Sequence, residues 1–388
     1  MTPEVYLGRM RSLLPALRER AAQAEKLRRL PEDTFADFQE AGLFRALQPK
    51  RYGGYELDPG ILYQAVTEVG AVCGSSGWIL GVLGVHNWHV AILPPQAQED
   101  VWGRDDSIQL STSLAPTGTV ERAPGGYRIK GRWSFSSGCD YCQWAVLGGA
   151  AAPSAPGEPP DPRVFLVPRR DYRIDDNWHV MGLCATGSKD IVVADAFVPE
   201  YRTHSYRDAF ALNHPGAAVN RAPLYRLPFG LIFTYGIVSP AIGAAQGALT
   251  AFREQAAKRV NVRDGSRAVE DPFMQYRLAE AAAEIDAACD RMLANFAEMM
   301  RLVCAGAEIP LANRARYRWD SGKAIERSVR AVDLIFEASG GHGIFLDNPI
   351  QRAWRDANAV ARHVSLNWDA VGTMYSQHSF GLEPKGQY

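Results

Sequence analysis

The chain has 388 residues, of which 47% are hydrophobic and 22% are charged, a composition typical of a globular protein with two or three lobes. Its formal net charge of -1 offers no basic surface, which argues against nucleic acid and against an anionic membrane as main partners. Six cysteines are too sparse for a disulfide framework and favour reduced thiols in a cytoplasmic protein.

The first 107 residues predict an N-terminal helical domain. Thr2 followed by Pro3 is a typical helix start, and Pro15 is expected to kink the helix that follows. Further helices are predicted at about 31–41, 59–72 and 95–102. The most apolar run, 71–93, contains His86, His89 and several glycines, so it does not match a membrane-spanning segment.

Residues 108–215 predict an inserted β domain, because the spacing of apolar residues changes from helical to alternating. Strands are predicted at 108–114, 127–135, 144–149, 164–167 and 191–198. They indicate a small antiparallel barrel. The run 150–162 is rich in proline and alanine and predicts an exposed hairpin loop.

Residues 216–388 predict a C-terminal helical bundle. Leu278 and Val303 lie on one long helical pattern, and Ile325 and Phe336 lie on another. The predicted fold class is therefore mainly α with an inserted β domain. Its parts are an N-terminal helical lobe, a central antiparallel β barrel and a C-terminal helical bundle.

Several motifs resemble the acyl-CoA dehydrogenase fold superfamily, and the resemblance covers nearly the whole chain. The run ASGGHG at 338–343, with NPIQR at 348–352 and WRDA at 354–357, is similar to its double-glycine turn and Arg-Asp-Ala helix. The run KRV at 258–260 resembles the segment whose arginine meets flavin phosphate across a subunit interface. The superfamily fold agrees with the architecture that periodicity predicts.

Within this superfamily the chain resembles the flavin-dependent monooxygenases that are oxygenase components of two-component systems. The matching runs are CGSSGW at 73–78, GVHNWH at 84–89, WSFSSGCD at 133–140 and GLCATGS at 182–188. The dehydrogenases abstract an α-proton with a glutamate, commonly placed just after the Arg-Asp-Ala run. Here that stretch reads ARHVS at 361–365 and holds no carboxylate, so dehydrogenase chemistry lacks its base there.

Two alternatives stay open. One is an acyl-CoA dehydrogenase, or an N- or S-oxygenating relative, that carries its catalytic groups elsewhere. The other is a non-catalytic helical scaffold, which long alanine-rich helices permit.

The resemblance implies hydroxylation of a phenolic or polycyclic aromatic substrate through a C4a-hydroperoxyflavin. The cofactors would be reduced FMN or reduced FAD, together with molecular oxygen, and a separate NAD(P)H-dependent flavin reductase would supply the reduced flavin. No GxGxxG run follows a first strand, which agrees with a flavin that diffuses in. The relatives also imply a homotetramer whose flavin sites are shared between subunits.

The same motifs nominate the site residues. Ser136 or Ser137 is the candidate for the flavin N5 contact, because a neutral hydroxyl accepts a hydrogen bond without adding charge. His363 is expected beside the oxygen that reacts. His86, or His89 in its place, is expected to receive the phenolic proton, because histidine titrates near neutral pH.

The remaining predicted contacts are with the substrate and the cofactor. Ser111 is expected to line the substrate pocket. Further cofactor contacts are predicted for Trp78, Arg132, Trp133, Ser134, Arg259, Gly341, His342 and Val364. Cys139 and Cys142 have the spacing of half a zinc site, but no second pair completes it, so no metal site is predicted.

Overall fold

The computed structural model describes residues 1–153, 157, 159–260 and 265–386. The helices are α1 (Pro3–Leu27), α2 (Glu32–Glu40), α3 (Pro59–Gly70), α4 (Gly74–Ile92), α5 (Pro95–Trp102), α6 (Tyr206–Phe210), α7 (Phe229–Lys258), α8 (Pro272–Cys304), α9 (Leu311–Ser339), α10 (Pro349–Val360) and α11 (Trp368–Ser379). The strands are β1 (Leu110–Ser113), β2 (Thr119–Ala123), β3 (Gly126–Ser136), β4 (Trp144–Ala151), β5 (Asp161–Pro168), β6 (Arg173–Asp175), β7 (Lys189–Pro199) and β8 (Thr203–Ser205). This order of helices, strands and helices confirms the predicted fold class.

The N-terminal helices follow the predicted start signals. The Thr2 hydroxyl accepts a hydrogen bond from the Val5 amide and caps α1, which runs without interruption through Pro15. Helix α5 has the predicted bounds, and α2 and α3 end within two residues of them. Helix α4 was not predicted as an element. All 19 of its residues are buried, so it has no polar face that would reveal a helical period.

The β domain consists of two four-stranded sheets with the orders β1-β4-β5-β8 and β2-β3-β7-β6. The prediction of a wholly antiparallel domain was wrong, because β1 pairs with β4 in parallel. The predicted loop at 150–162 is also shorter than expected, since β4 continues to Ala151 and β5 begins at Asp161. Residues 154–156 and 158 of that loop lie outside the described residues.

Helix α7 lies at the centre of the helical part. Of the helices in the described ranges, it alone has the length and hydropathy of a membrane span, and 89% of its most apolar 18-residue window is buried inside the protein. Helix α7 packs closely against α3 at Gly243. A Cβ atom on Gly243 would come within 2.2 Å of the Thr67 carbonyl oxygen, so only glycine permits this approach.

A buried carboxylate joins the helical bundle to the β domain. The Asp356 Oδ1 atom on α10 accepts a 2.6 Å hydrogen bond from the Leu183 amide, at the start of the loop 182–188. Leu183 has a left-handed backbone (φ 54°). The carboxylate also lies against Gly74, where a Cβ atom would come within 2.6 Å of Asp356 Oδ2. The Arg-Asp-Ala helix therefore fixes the loop that precedes β7 relative to the start of α4.

Replacing Asp356 by alanine is expected to lower the free energy of unfolding by about 1–3 kcal/mol, because the Leu183 amide is left buried without an acceptor. Asp356→Asn keeps an acceptor oxygen and removes the cost of burying a negative charge, a cost seen in the pKa of the Asp356 carboxyl group, which burial raises to about 6. The asparagine variant should therefore lose less free energy of unfolding than the alanine variant. Urea denaturation at pH 7 measures both variants. The exposed Asp347→Ala is the control, and equal losses in the alanine and asparagine variants at 356 would contradict the assignment.

Candidate active site

Helix α4 carries three of the predicted site residues on its buried length. Trp78 lies near its start, and His86 and His89 lie near its end. His86 follows Trp78 by eight positions along the helix, which corresponds to about 12 Å along its axis. The helix thus presents an indole at one level and two imidazoles at another.

A β-bulge at the end of β3 positions the two serines. The pairing of β3 with β7 shifts register between Trp133 and Ser136, and Phe135 adopts a left-handed backbone with φ 67°. The Phe135 side chain is 71% exposed as a result. Ser136 is fully buried and its hydroxyl has no hydrogen-bond partner among the described residues, whereas Ser137 takes part in a network.

Ser137 belongs to a chain of hydroxyl groups that begins at Trp78. The Trp78 indole N–H donates to Ser137 Oγ at 2.9 Å, and Ser137 Oγ lies 2.7 Å from Ser188 Oγ. Ser188 Oγ lies 2.7 Å from Thr186 Oγ1, and the Thr186 hydroxyl donates to the Leu183 carbonyl at 2.9 Å. The two serines that the sequence did not separate therefore differ, and the contacts favour Ser137 for the cofactor contact.

His363 lies beside the same indole. Its ring centroid is 5.9 Å from that of Trp78. The Ser365 amide donates to His363 Nδ1 at 3.2 Å, so in the neutral ring the proton resides on Nε2. Burial, together with the nearby Arg318 cation, lowers the pKa of His363 to about 4. At neutral pH His363 is therefore an uncharged donor through Nε2.

Arg318 helps to position His363, and the sequence did not indicate this role. It is buried on α9, and its guanidinium donates to the Ser365 carbonyl at 2.8 Å and to Thr234 Oγ1 at 2.5 Å. These bonds fix the turn that carries His363. An arginine in the middle of a long helix has the same appearance in sequence as an arginine facing solvent, so no pattern reveals this role.

His86 is held through both of its ring nitrogens. Its Nδ1 atom lies 2.6 Å from the Leu110 carbonyl, an acceptor, so Nδ1 carries the proton. The Nε2 atom therefore accepts from the Thr112 hydroxyl at 2.9 Å. Burial lowers the pKa of His86 to about 4, and the ring of Phe233 stacks on it at 5.8 Å. His86 is a neutral imidazole with a hydroxyl group on its basic nitrogen.

Thr112 is the residue that the sequence reasoning missed, since that reasoning chose Ser111. Successive side chains of β1 point to opposite faces, so the choice of residue decides which group is reached. The Ser111 hydroxyl is buried without a hydrogen-bond partner in the described ranges. Thr112, one residue on, reaches His86. The structure therefore does not bring Ser111 to either histidine.

His89 is buried near the imidazoles of His86, His204 and His214. Its ring packs edge-on against Phe229 and Phe233, with centroids at 5.0 Å and 5.3 Å. Its pKa is lowered well below the ordinary value, first by burial and then by His86, His204 and His214. Its Nδ1 atom has no hydrogen-bond partner among the described residues. Of the two histidines left open by the sequence, His86 thus has the ordered contacts.

Trp133 does not present a face to a cofactor, and that prediction was wrong. Its ring is fully buried in the core of the β domain, and its indole N–H donates to the Gly148 carbonyl at 2.7 Å. Alternation along β3 directs residue 133 inward, and the bulge after it turns the chain toward Ser137.

Two further β3 residues have structural contacts that the sequence did not indicate. Arg132 forms ion pairs with Asp175 and with Asp190, the latter at 2.7 Å. The Ser134 carbonyl accepts a 2.6 Å hydrogen bond from the Ser113 hydroxyl. Both remain predictions as cofactor contacts, and their present partners join β3 to the neighbouring strands.

The structure places Arg259, the predicted phosphate contact, beside the glycine turn that carries two further predicted cofactor contacts. Arg259 donates to the carbonyl oxygens of Ala338 and Ser339, both at 3.2 Å, and so caps the C-terminus of α9. The glycine turn with Gly341 and His342 follows directly, and space for a Cβ atom is open at Gly341. These residues form a second region of the candidate site.

The residues around Trp78 fit a reduced flavin ring. They offer an indole, a hydroxyl oxygen and a neutral imidazole donor, and Val364 beside His363 is 84% exposed. Such a flat aromatic ligand with N–H groups requires acceptors and an apolar face, with no added charge. Ser137 would supply the acceptor, and Trp78 and Val364 would supply apolar surface.

Two family descriptions match the chain. The acyl-CoA dehydrogenase N-terminal domain matches residues 13–102, and the acyl-CoA dehydrogenase C-terminal domain matches residues 235–368. The first covers α4, and the second covers Arg259, the glycine turn and His363.

Individual proteins match over the full length. The flavin-dependent monooxygenase oxygenase subunit HsaA of Rhodococcus jostii is 44% identical, covering 97% of this chain and 98% of the relative. The oxygenase component of the FADH(2)-dependent resorcinol hydroxylase of a Rhizobium species is 40% identical, covering 100% of this chain and 97% of the relative. A crystal structure of 3-HSA hydroxylase from Rhodococcus sp. RHA1 has a TM-score of 0.94 and 44% identity, and 98% of each chain is covered.

The buried imidazoles predict a loss of stability in acid. Burial lowers the pKa of His214 to about 4 from an ordinary value of 6.5, so between these values the unfolded chain binds a proton that the folded chain excludes. The stability supplied by the neutral ring is present above pH 6.5 and is lost as the pH falls toward 4. The slope is about 1.4 kcal/mol per pH unit for each such proton.

Replacing His214 by leucine should reduce the slope of the free energy of unfolding against pH by the contribution of one proton. The variant should therefore be more stable than wild type at pH 5. Neither ring nitrogen of His214 has a hydrogen-bond partner in the described part of the chain, so leucine removes no hydrogen bond. Urea denaturation at half-unit steps from pH 4.5 to 7.5 measures the slope. His179→Gln at an exposed position is the control, and an unchanged slope in His214→Leu would refute the prediction.

Proposed function

We propose that Trp78, Ser137 and His363 hold reduced flavin in this chain, which belongs to the family of flavin-dependent monooxygenase oxygenase subunits with the acyl-CoA dehydrogenase fold. In the same proposal, Thr112 and His86 receive a proton from a phenolic substrate. The chain is the oxygenase component of a two-component enzyme that hydroxylates an aromatic substrate. The observation that carries the proposal is the convergence of Trp78, Ser137 and His363 from three distant segments on one indole ring.

Reduced flavin, when bound, supplies the electrons that activate molecular oxygen for transfer to the ring. The protein's own residues hold that cofactor and control protons around it. Trp78 offers an indole edge and face, and Ser137 offers an acceptor oxygen without negative charge. Uncharged neighbours suit this chemistry, because a fixed charge beside reactive oxygen would change its protonation.

His363 is proposed to donate a hydrogen bond through Nε2 to the oxygen that reacts. Its Nδ1 atom is occupied by the Ser365 amide, so Nε2–H is the group that remains for a ligand. The low pKa keeps the ring from carrying a positive charge at neutral pH. A neutral donor would hold the reacting oxygen without placing a positive charge beside it.

Thr112 and His86 form a proton relay for the substrate hydroxyl in this proposal. The Thr112 hydroxyl donates to His86 Nε2, and its oxygen keeps lone pairs that accept from a phenol. When the phenol gives its proton to Thr112, the threonine proton moves to His86, and the resulting charge is oriented by the Leu110 carbonyl on Nδ1. The phenolate that results is electron-rich at the ring carbon to be hydroxylated.

Further components of the system are proposed from the relatives and from composition. Reduced FAD is favoured over reduced FMN because the Rhizobium relative belongs to an FADH(2)-dependent hydroxylase. That relative is the oxygenase component of its enzyme, which supports a separate reductase. A homotetramer is proposed from the resemblance of Arg259 to the inter-subunit phosphate contact, and light scattering tests it. All six cysteines, which lie within the described residues, are free thiols, and this supports a cytoplasmic location.

The function is tested by mixing the protein with FADH2 without oxygen and then adding oxygen and a phenol. We expect hydroxylated product in proportion to the flavin oxidised and little free hydrogen peroxide. In His363→Ala the flavin should still be oxidised, but product should fall and hydrogen peroxide should rise, because the Nε2–H donor is lost. Chromatography of the products and a peroxide assay measure the two outputs.

His378→Ala is the matched control, since this histidine lies on α11, which carries none of the candidate site residues. A panel of resorcinol, 4-hydroxyphenylacetate and larger phenols identifies the substrate class. Wild-type protein that oxidises FADH2 no faster than buffer and yields no product with any phenol would overturn the proposal.

Thr112→Val removes the relay hydroxyl and keeps the shape of the side chain. Its hydroxylation rate should fall by about 10²-fold or more, the usual size of a general acid–base contribution. Binding of reduced flavin should stay as in wild type, because Thr112 contacts His86 and not the flavin residues. Single-turnover rates and an anaerobic flavin titration separate the two effects. Thr119→Val on the exposed strand β2 is the control, and a wild-type rate in Thr112→Val would exclude the relay.

A further inference from the structure

We propose that Thr186 and Ser188 are positioning residues that make the Ser137 hydroxyl an acceptor toward the flavin, so that the site binds reduced flavin more tightly than oxidised flavin. The inference rests on the proposed function, because it assumes that Ser137 meets flavin N5. It assigns a role to two hydroxyl groups that do not touch the cofactor themselves.

The two ends of the hydroxyl chain, the Trp78 indole N–H and the Leu183 carbonyl, determine the direction of every hydrogen bond between them. The Leu183 carbonyl can only accept, so the Thr186 hydroxyl proton is committed to it. Ser188 must then donate to Thr186, because the Thr186 proton is already used. By the same count Ser137 must donate to Ser188. At the other end the Trp78 indole N–H can only donate, and it donates to Ser137.

This count leaves Ser137 with no proton for a ligand and one free lone pair. A hydroxyl group has one proton and two lone pairs. The proton is given to Ser188, and one lone pair receives the Trp78 N–H. Ser188 and Thr186 are buried, at 4% and 1% exposure, so solvent offers them few other partners. The free lone pair of Ser137 can therefore only accept.

The two redox states of flavin differ at N5 in the complementary way. Reduced flavin carries a hydrogen on N5 and donates, whereas oxidised flavin has a lone pair there and accepts. A donor at N5 forms a hydrogen bond with Ser137, and a lone pair at N5 faces another lone pair. With oxidised flavin, the acceptor atoms of Ser137 and N5 therefore face each other without a proton between them. Two facing acceptors weaken binding of the oxidised state more than the simple absence of a contact would.

For Ser137 to donate to oxidised flavin, every hydrogen bond between the hydroxyl groups must reverse its direction. This reversal breaks the hydrogen bond from the Thr186 hydroxyl to the Leu183 carbonyl. If Ser137 donated to N5, Ser188 would donate to Ser137 and Thr186 to Ser188, and the Thr186 hydroxyl would leave the Leu183 carbonyl. The position of that carbonyl is fixed, because the Leu183 amide is held by the buried Asp356. Reversal therefore loses one hydrogen bond, which corresponds to roughly a fivefold change in binding.

The experiment compares the affinities for FAD and FADH2 in Thr186→Val, Ser188→Ala and wild type. Thr186→Val frees the Ser188 proton from its fixed direction, and Ser188→Ala frees the Ser137 proton directly. Both variants should bind oxidised FAD about fivefold more tightly relative to FADH2 than wild type does. Absorbance titration measures FAD binding, and anaerobic titration measures FADH2 binding. Neither measurement depends on turnover.

Thr203→Val is the matched control. Thr203 is also buried, and its hydroxyl donates to the carbonyl three residues before it, Glu200, at 2.8 Å, but it lies on β8 outside the hydroxyl chain. It should leave the affinity ratio as in wild type. Thermal unfolding of all variants verifies that they are folded, and two different substitutions guard against the loss of one variant.

The result that would overturn the inference is a ratio within twofold of wild type in both Thr186→Val and Ser188→Ala. An equal change of the ratio in Thr203→Val would also overturn it, since a general effect of losing a buried hydroxyl would then explain the data. Failure of the proposed function has a different signature. In that case wild-type protein would bind no FADH2 and form no hydroxylated product.

Discussion

The hydrogen bond from the Leu183 amide to the buried Asp356 carboxylate is the constraint on which the site depends. It holds the loop 182–188 of the β domain against α10 of the helical bundle and against the start of α4 at Gly74. That loop carries Thr186 and Ser188, which bond through Ser137 to Trp78 on α4. The same loop is also tied to the turn after β3, because the Gly138 amide donates to the Thr186 carbonyl at 2.9 Å. One carboxylate therefore fixes the relative position of three segments that meet at the site.

The chemistry of the site is set by burial more than by charge. Desolvation lowers the pKa values of His86 and His363 to about 4, so both rings are neutral at physiological pH. Each ring has one nitrogen fixed by the backbone, at the Leu110 carbonyl or at the Ser365 amide. The tautomer is thus decided by a main-chain contact, and the opposite nitrogen is left with a defined role. His86 accepts through Nε2 and His363 donates through Nε2.

The sequence predicted most of the elements in which apolar residues recur with a helical or an alternating period. Helix α5 and the long helices α8 and α9 were found from periodicity, and five of the strands were found from alternation. Helix α4 was not found, because it is buried on all sides and has no polar face. The short strands β2, β6 and β8 were also missed, since they contain too few apolar residues to show alternation, whereas Ile108 and Leu114 extend the apolar pattern on both sides of β1. The parallel pairing of β1 with β4 depends on contacts distant in sequence, which no local pattern reports.

The sequence by itself determined the family, the order of domains and the residue types of the site, because these are written in local motifs such as the serine-rich turn after β3. Only the tertiary structure decided which neighbour in each motif faces the site. Alternation along β3 buries Trp133, and the bulge at Phe135 then brings Ser137 to Trp78. Alternation along β1 brings Thr112 rather than Ser111 to His86. A shift of one residue reverses the face of a strand, and the register that sets it is fixed by pairing with β4 and β7, which are remote in sequence. Sequence motifs therefore placed the candidate residues within one position of those that contact Trp78 and His86, and strand pairing selected between the neighbours.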